Sequence, residues 1–322
     1  MDNGVSTSGL SKVYKNFRAV DSLSIQVNAG ELFGFLGPNG AGKTTTIRML
    51  CGLITPTSGE AKVAGFDVLK ESLKIRKIIG LLPESFGFYD WMNAQEYLLH
   101  FAALYKIEAK EAKRRVTELL EQFGLADKSF APIGYYSRGM KQKLGLARAL
   151  INNPSIMFLD EPTLGLDPKG QQDIRRILLE LHGKGVTVFL SSHALSEVSA
   201  LCDKIAIVNQ GRLVAQGTLE EIRRLAGSSR GLMIRVLNSE SAKQALSKLP
   251  FQTEVYAENK FLDLAIPETP GSANDIIHLF EQAGFQIYEI HRIEMSLEQA
   301  FFNLTATQHG LPADGFSNLA ER

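Results

Sequence analysis

Cysteine is scarce: the chain has only Cys51 and Cys202. Two thiols cannot build a disulfide framework, and neither sits in a metal-ligand pattern. Both are expected on helices, buried or half-buried, in a reducing compartment. Net charge is absent as well, because 35 Lys+Arg balance 35 Asp+Glu. That balance argues against nucleic acid or an anionic membrane surface as the main partner. No run approaches the roughly 18 apolar residues that would span a bilayer. The opening MDNGVSTSG has neither a basic flank nor an apolar stretch, so the chain is expected to stay in the cytoplasm. What is present is ordinary globular material: 322 residues, 44% of them hydrophobic, enough for one large domain and a smaller one.

The organising stretch is GPNGAGKTT, from Gly37 to Thr45. Its spacing of Gly, four residues, Gly, Lys and Thr is that of a phosphate-binding loop. Gly37, Gly40 and Gly42 let the backbone curl with its N–H groups turned inward around a polyphosphate. Lys43 adds a point charge, Thr44 offers a hydroxyl to Mg²⁺, and Asn39 and Thr45 complete the stretch assigned to the nucleotide. The Leu- and Phe-rich residues up to Leu36 predict a buried strand before the loop. Thr44 to Leu53 predicts a helix after it, with its N-terminal dipole facing the anion. The expected ligand is a nucleoside triphosphate with magnesium.

Other candidates lie at the ends of predicted strands, where open α/β sheets bind ligands. Gly9 to Tyr14 and Ser22 to Val27 read as a hairpin beside the nucleotide, with Tyr14 either a core residue or a ring that stacks on a purine. KIRKIIGLL ends at Pro83-Glu84, where Glu84 faces the metal or attacking water, or else is a solvated loop acid. FGFYDW, from Phe86 to Trp91, holds the single tryptophan and reads as a protein contact or as core. A helical lobe follows, from Asn93 to Tyr105 and Lys110 to Phe123. Tyr136-Ser137-Arg138-Gly139-Met140 then opens another helix, as a second anion corner or a plain cap. Ile156 to Leu159 is a short strand ending in Asp160-Glu161. Adjacent carboxylates repel unless a cation or a proton transfer justifies them, so Asp160 is expected to hold Mg²⁺ through water and Glu161 to act as general base. Gly165-Leu166-Asp167-Pro168 is a turn. Val186 to Leu190 leads to Ser191-Ser192-His193, where His193 either bonds a γ-phosphate or Glu161, or is structural.

In this order the motifs resemble an ATP-binding-cassette ATPase, over about Val5 to Arg223. The resemblance implies a P-loop α/β fold with an antiparallel β subdomain and a helical lobe near 86–150, in a domain spanning about 1–224. It implies ATP and Mg²⁺ as ligands, and a head-to-tail homodimer in which Ser137 and Gly139 reach the γ-phosphate bound by the other copy. Tyr14 would then stack on adenine, Asp167 cross the dimer interface and His193 sense the γ-phosphate. Two departures stand out: Glu84 replaces the family's usual glutamine, and YSRGM replaces LSGGQ. Both are similar to the subgroup that drives two-subunit, ABC-2-like exporters, with separate transmembrane permease subunits and the ATPase peripheral on the inner face of the membrane. The alternative is a soluble cassette ATPase acting on ribosomes or nucleic acid. One cassette, with no long coiled coil inserted between Lys43 and Ser137, argues against it. Beyond the cassette, strands at Leu232 to Leu237, Gln252 to Tyr256, Phe261 to Ile266 and Gln286 to Ile293 are predicted, with helices near Ser241 to Leu249 and Ala273 to Ala283. They predict a ferredoxin-like βαββαβ domain over 229–306, regulatory or dimer-bracing. A helix from Ser296 to Thr305 closes it, and 307–322 reads as a loose tail.

Overall fold

The computed structural model describes residues 4–85, 87–226, 231–237, 254–258, 261–267, 273–282, 285–293 and 296–307. The chain divides into two compact units, Met1–Leu219 and Glu220–Arg322. In the first, β1 (Val5–Tyr14), β2 (Phe17–Leu23) and β3 (Gln26–Val27) start an antiparallel sheet. Next comes β4 (Leu32–Leu36), which belongs to a second sheet, and then the helix α1 (Lys43–Leu50). The chain returns to the first sheet with β5 (Ser58–Val63) and β6 (Phe66–Asp67), giving the order β2-β1-β5-β6 with β3 on β1. The hairpin partner of β1 is therefore Phe17–Leu23, earlier than Ser22 to Val27. Lys15 adopts a positive φ of 52°, closing a two-residue turn that sets Tyr14 opposite Phe17.

The charged part of KIRKIIGLL is helical: α2 (Ser72–Ile78) buries Ile75 and exposes its basic residues, and only Ile79–Leu82 forms β7. The helical lobe follows as α3 (Ala94–Leu104) and α4 (Ala109–Gln122), and α5 (Arg138–Leu150) leads back to the sheet. Asn93 starts α3 with a capping box to Glu96, and an apolar stripe of Ala112, Val116, Leu119 and Leu120 on α4 faces inward. The remaining elements are β8 (Ile156–Asp160), α6 (Pro168–Gly183), β9 (Thr187–Ser192), α7 (Leu195–Ser199), β10 (Lys204–Asn209), β11 (Arg212–Gly217) and α8 (Leu219–Leu225).

The main sheet runs β11-β10-β4-β9-β8-β7, parallel except for β11. Every residue of β4, β8 and β9 is buried, which is why these strands read as unbroken apolar runs. Phe33, Phe35 and Phe158 each place a ring 5.2–5.5 Å from that of Phe189, and burying each such ring contributes about 1.5–3 kcal/mol. All five parallel strands end at one edge, so the loop after β4 meets Glu84, Glu161 and His193 there.

In the second unit, β12 (Gly231–Leu237), β13 (Glu254–Glu258), β14 (Phe261–Pro267) and β15 (Ile287–Ile293) form an antiparallel sheet in the order β13-β14-β12-β15. With the helix Ala273–Gln282 between β14 and β15, this is the strand order of a split βαβ fold. Ile234, Val236, Leu262 and Leu264 supply its buried face. The helix expected at Ser241 to Leu249 and the tail from Gln308 lie outside the described residues. The terminal helix, Leu297–Thr307, is capped reciprocally by Ser296 and Gln299.

Candidate nucleotide site

The loop between β4 and α1 owes its shape to glycine at two points. Gly42 has φ +97°, and a Cβ there would overlap the Ala19 carbonyl of β2. A Cβ on Gly37 would overlap the Val208 carbonyl of β10. No side chain caps α1 at Gly42, so the donors of its first turn remain for a ligand. Lys43 is only 6% exposed. Its Nζ donates to the carbonyls of Gly37 at 2.7 Å and Pro38 at 3.3 Å, and lies 3.2 Å from Glu161 Oε1. A buried ammonium requires such partners, and the same side chain that ties the loop together also neutralises the carboxylate across the cleft.

Glu161, 8% exposed, holds a positive φ of 51°, a conformation costing on the order of 1 kcal/mol for a residue with a side chain. Its amide donates to both the carbonyl and the hydroxyl of Ser191 on β9, each at 3.2 Å, and this fixes the turn. The carboxylate is thereby aimed between Lys43 and His193, whose Nδ1 lies 2.8 Å from Oε2. Oε1 is an ion-pair partner of Lys43 without hydrogen-bond alignment, so it keeps an unused acceptor site. Asp160 sits behind it, fully buried, with Oδ1 accepting from the Ser191 hydroxyl at 2.6 Å. One serine thus orients both carboxylates.

Lys43, Glu161 and His193 line a cleft of about 390 Å³. Pro38, Asn39, Gly40, Gly42, Lys43, Thr44 and Thr45 line one wall, and Glu84, Glu161 and His193 another; Phe17, Ala19 and Leu164 complete it. Tyr14 is not on the wall. It lies across the β1–β2 turn, 45% exposed, with the Lys12 ammonium 5.1 Å from its ring centroid. Asp160 is not on the wall either, and among the described residues no three His, Cys, Asp or Glu side chains group as a metal cage.

Ser137, Gly139 and Asp167 lie apart from this cleft. Ser137 caps α5, accepting from the Met140 amide at 3.2 Å, and Asp167 caps α6, accepting from the Gly170 amide at 3.0 Å. The two helix starts adjoin, since a Cβ on Gly165 would overlap the Arg138 guanidinium. Gln142 Nε2 donates to the Pro162 carbonyl at 2.6 Å, tying α5 to the residue after Glu161. In the aromatic stretch, Tyr89 and Trp91 are exposed, Trp91 to 77%, whereas Phe88 packs on Tyr97; Phe86 lies outside the described residues. The roles of Phe17, Ser191 and Gln142 had no sequence signal beyond position, because each depends on pairing or packing across the sheet.

A phosphate loop at the carboxyl edge of a parallel sheet, opposed by a buried acid and a histidine, defines a P-loop nucleotide hydrolase. The ABC transporter family description matches residues 20–164. The chain is 34% identical over 305 residues to a daunorubicin resistance ATP-binding protein, DrrA3, of Streptomyces coeruleorubidus, covering 94% of this chain and 96% of that protein. It is 36% identical over 305 residues to the bacitracin transport ATP-binding protein BcrA of Bacillus licheniformis, covering 94% and 98%. Among solved structures it resembles the ATP-binding subunit of an ABC transporter, with TM-score 0.64, 32% identity and coverage of 69% and 93%. It also resembles a dimeric ATP-binding cassette in a post-hydrolysis state bound to ADP and Pi, with TM-score 0.61, 25% identity and coverage of 67% and 98%. The chain belongs to the ATP-binding proteins of the ABC transporter family, and its fold is that of the family's ATPases.

Proposed function

We propose that this chain is the ATP-hydrolysing subunit of an exporter, working as a head-to-tail dimer against separate transmembrane subunits on the inner face of the membrane. The observation that carries the catalytic part is the buried Lys43–Glu161 pair bonded to the solvent-exposed His193, with one Glu161 oxygen left without a hydrogen bond. In this reading Lys43 and the first-turn amides of α1 hold the terminal phosphates, and Glu161 accepts the proton of a water whose oxygen attacks the γ-phosphorus as ADP departs. His193, bonded to the other carboxylate oxygen, keeps Glu161 aimed and faces the γ-phosphate. Thr44, Glu84 and, through water, Asp160 supply the hard oxygen donors that Mg²⁺ takes. Mg²⁺ when bound neutralises the phosphate oxygens; it needs no all-protein cage, so the donor set fits it. Ser137, Gly139 and Asp167 do not line their own cleft, which supports their serving the cleft of a second copy. Tyr14 is assigned to the purine base, with Lys12 against its ring and outside the lining of the cleft, whereas Phe17 stands on the wall.

The exporter reading is supported by relatives named for drug resistance and antibiotic transport. The domain over 229–306, without a cluster of acids or a glycine loop in its sequence, is assigned to regulation or bracing of the dimer. Glu161→Gln tests the mechanism. Turnover is expected to fall by about 10²-fold or more, the size of a general-base contribution, while ATP binding is retained. Near-normal hydrolysis in that variant contradicts the assignment.

A further inference from the structure

Arg148 lies in the last turns of α5 and joins three elements. Its Nη2 donates to the Leu81 carbonyl on β7 at 3.3 Å, and its Nη1 donates to the Tyr97 hydroxyl on α3 at 3.2 Å. The guanidinium also lies 5.3 Å from the Phe101 ring, one turn along α3 from Tyr97. Tyr97 is buried, and its ring meets Phe88 at 5.2 Å. Leu81 and Phe88 bracket Glu84, which lines the nucleotide cleft. Leu81 before Glu84 and Phe88 after it therefore meet one hydrogen-bonded pair, Arg148 and Tyr97, the first through a hydrogen bond and the second through a ring contact. The seat has no slack, because a Cβ on Gly80 would overlap the Ala149 carbonyl of α5. At its other end α5 begins at the Ser137 cap and reaches Pro162, the neighbour of Glu161, through Gln142.

We propose that Arg148 is a positioning residue for ATP hydrolysis: it holds the end of β7 so that Glu84 keeps its place in the cleft, and it makes that place move with α5. The inference rests on the reading of the cleft as the hydrolytic site. Arginine suits the task because its planar fork reaches two acceptors on different elements in fixed geometry, whereas a lysine ammonium on a flexible stem does not.

The test is a double-mutant cycle on the full chain, with kcat, KM and the thermal midpoint measured for Arg148→Met, Glu84→Ala and the pair. Arg148→Met is expected to lower kcat about tenfold with KM changed less than about twofold, the pattern of a lost transition-state arrangement. In the Glu84→Ala background the same change should cost less than about twofold, because residues acting through one group are non-additive. Tyr97→Phe, which keeps the ring and drops the bond to Arg148, should lower kcat in the same direction by less. Arg148→Lys should recover part of the loss. If Arg148→Met does not fold, Arg148→Lys and Tyr97→Phe carry the same cycle. A full loss that persists without Glu84, or losses that merely follow the thermal midpoint across all variants, overturns the proposal. Wild-type kcat in Glu84→Ala overturns it too. Loss of turnover in Glu161→Gln with wild-type kcat in Arg148→Met leaves the reading of the cleft intact and removes Arg148 alone.

Discussion

Gly42 shows how little freedom the site leaves at a single residue. Its φ of +97° is one that side chains rarely adopt, and the space a methyl group needs is taken by the Ala19 carbonyl. Gly42→Ala is therefore expected to destabilise the protein by more than about 1 kcal/mol and to abolish nucleotide binding, measured by thermal unfolding with and without ATP. A variant that keeps an ATP-dependent rise in midpoint contradicts this. Glu161 is the opposite case, a residue with a side chain held at positive φ because Ser191 takes its amide twice. The thiols are plain structural groups. Burial pushes both Cys51 and Cys202 above the usual thiol range, so neither is a reactive centre.

Among the elements, α4 carries the clearest electrostatic signature. Hydrogen bonds from Arg114 and then Arg115 hold the Glu111 carboxyl down to about 2, from an ordinary 4.5. A depressed carboxyl pKa stabilises the fold above the unfolded value and loses that contribution as pH falls toward the folded one. The thermal midpoint of the wild type should thus exceed that of Glu111→Gln above pH 4.5, with the gap closing toward pH 2 and shrinking in high salt. A gap independent of pH would assign the effect to helix packing instead. Trp91 makes a second prediction at this scale. Exposed just before α3, it should tolerate Trp91→Ala without loss of ATPase activity in the isolated protein, while co-purification with the proposed membrane subunits weakens. Unchanged assembly would remove Trp91 from that interface.

How much of this was legible in the sequence also varies by element. The loop from Gly37 to Thr45 and the Asp160-Glu161 pair could be read directly, because their chemistry is local: glycines for a backbone curl, adjacent acids at the end of an apolar strand. His193 was legible as a strand-end residue, but its bond to Glu161 depends on β8 and β9 being neighbours. The β1–β2 hairpin was misplaced because its turn needs a positive φ at Lys15, a residue type that does not announce one. The hinge between α2 and β7 was hidden in a single apolar stretch, since periodicity does not separate a half-buried helix turn from a four-residue strand. Phe17 and Arg148 had no signal, because their neighbours come from register and from packing between distant elements.

At the scale of the whole molecule, the cleft proposed for binding and proton transfer leaves a second polar surface, at Ser137 and Asp167, outside its lining. Two copies arranged head to tail would give each surface a phosphate to meet. Neutral overall charge sets no barrier to such self-association. The most direct test is the solution mass of Glu161→Gln by light scattering, in ATP with Mg²⁺ and again in ADP. A head-to-tail dimer gives twice the monomer mass of 35.4 kDa in ATP, a return to 35.4 kDa in ADP, and no doubling when Ser137→Arg is added. A mass of 35.4 kDa under both nucleotides, with ATP demonstrably bound, would contradict it.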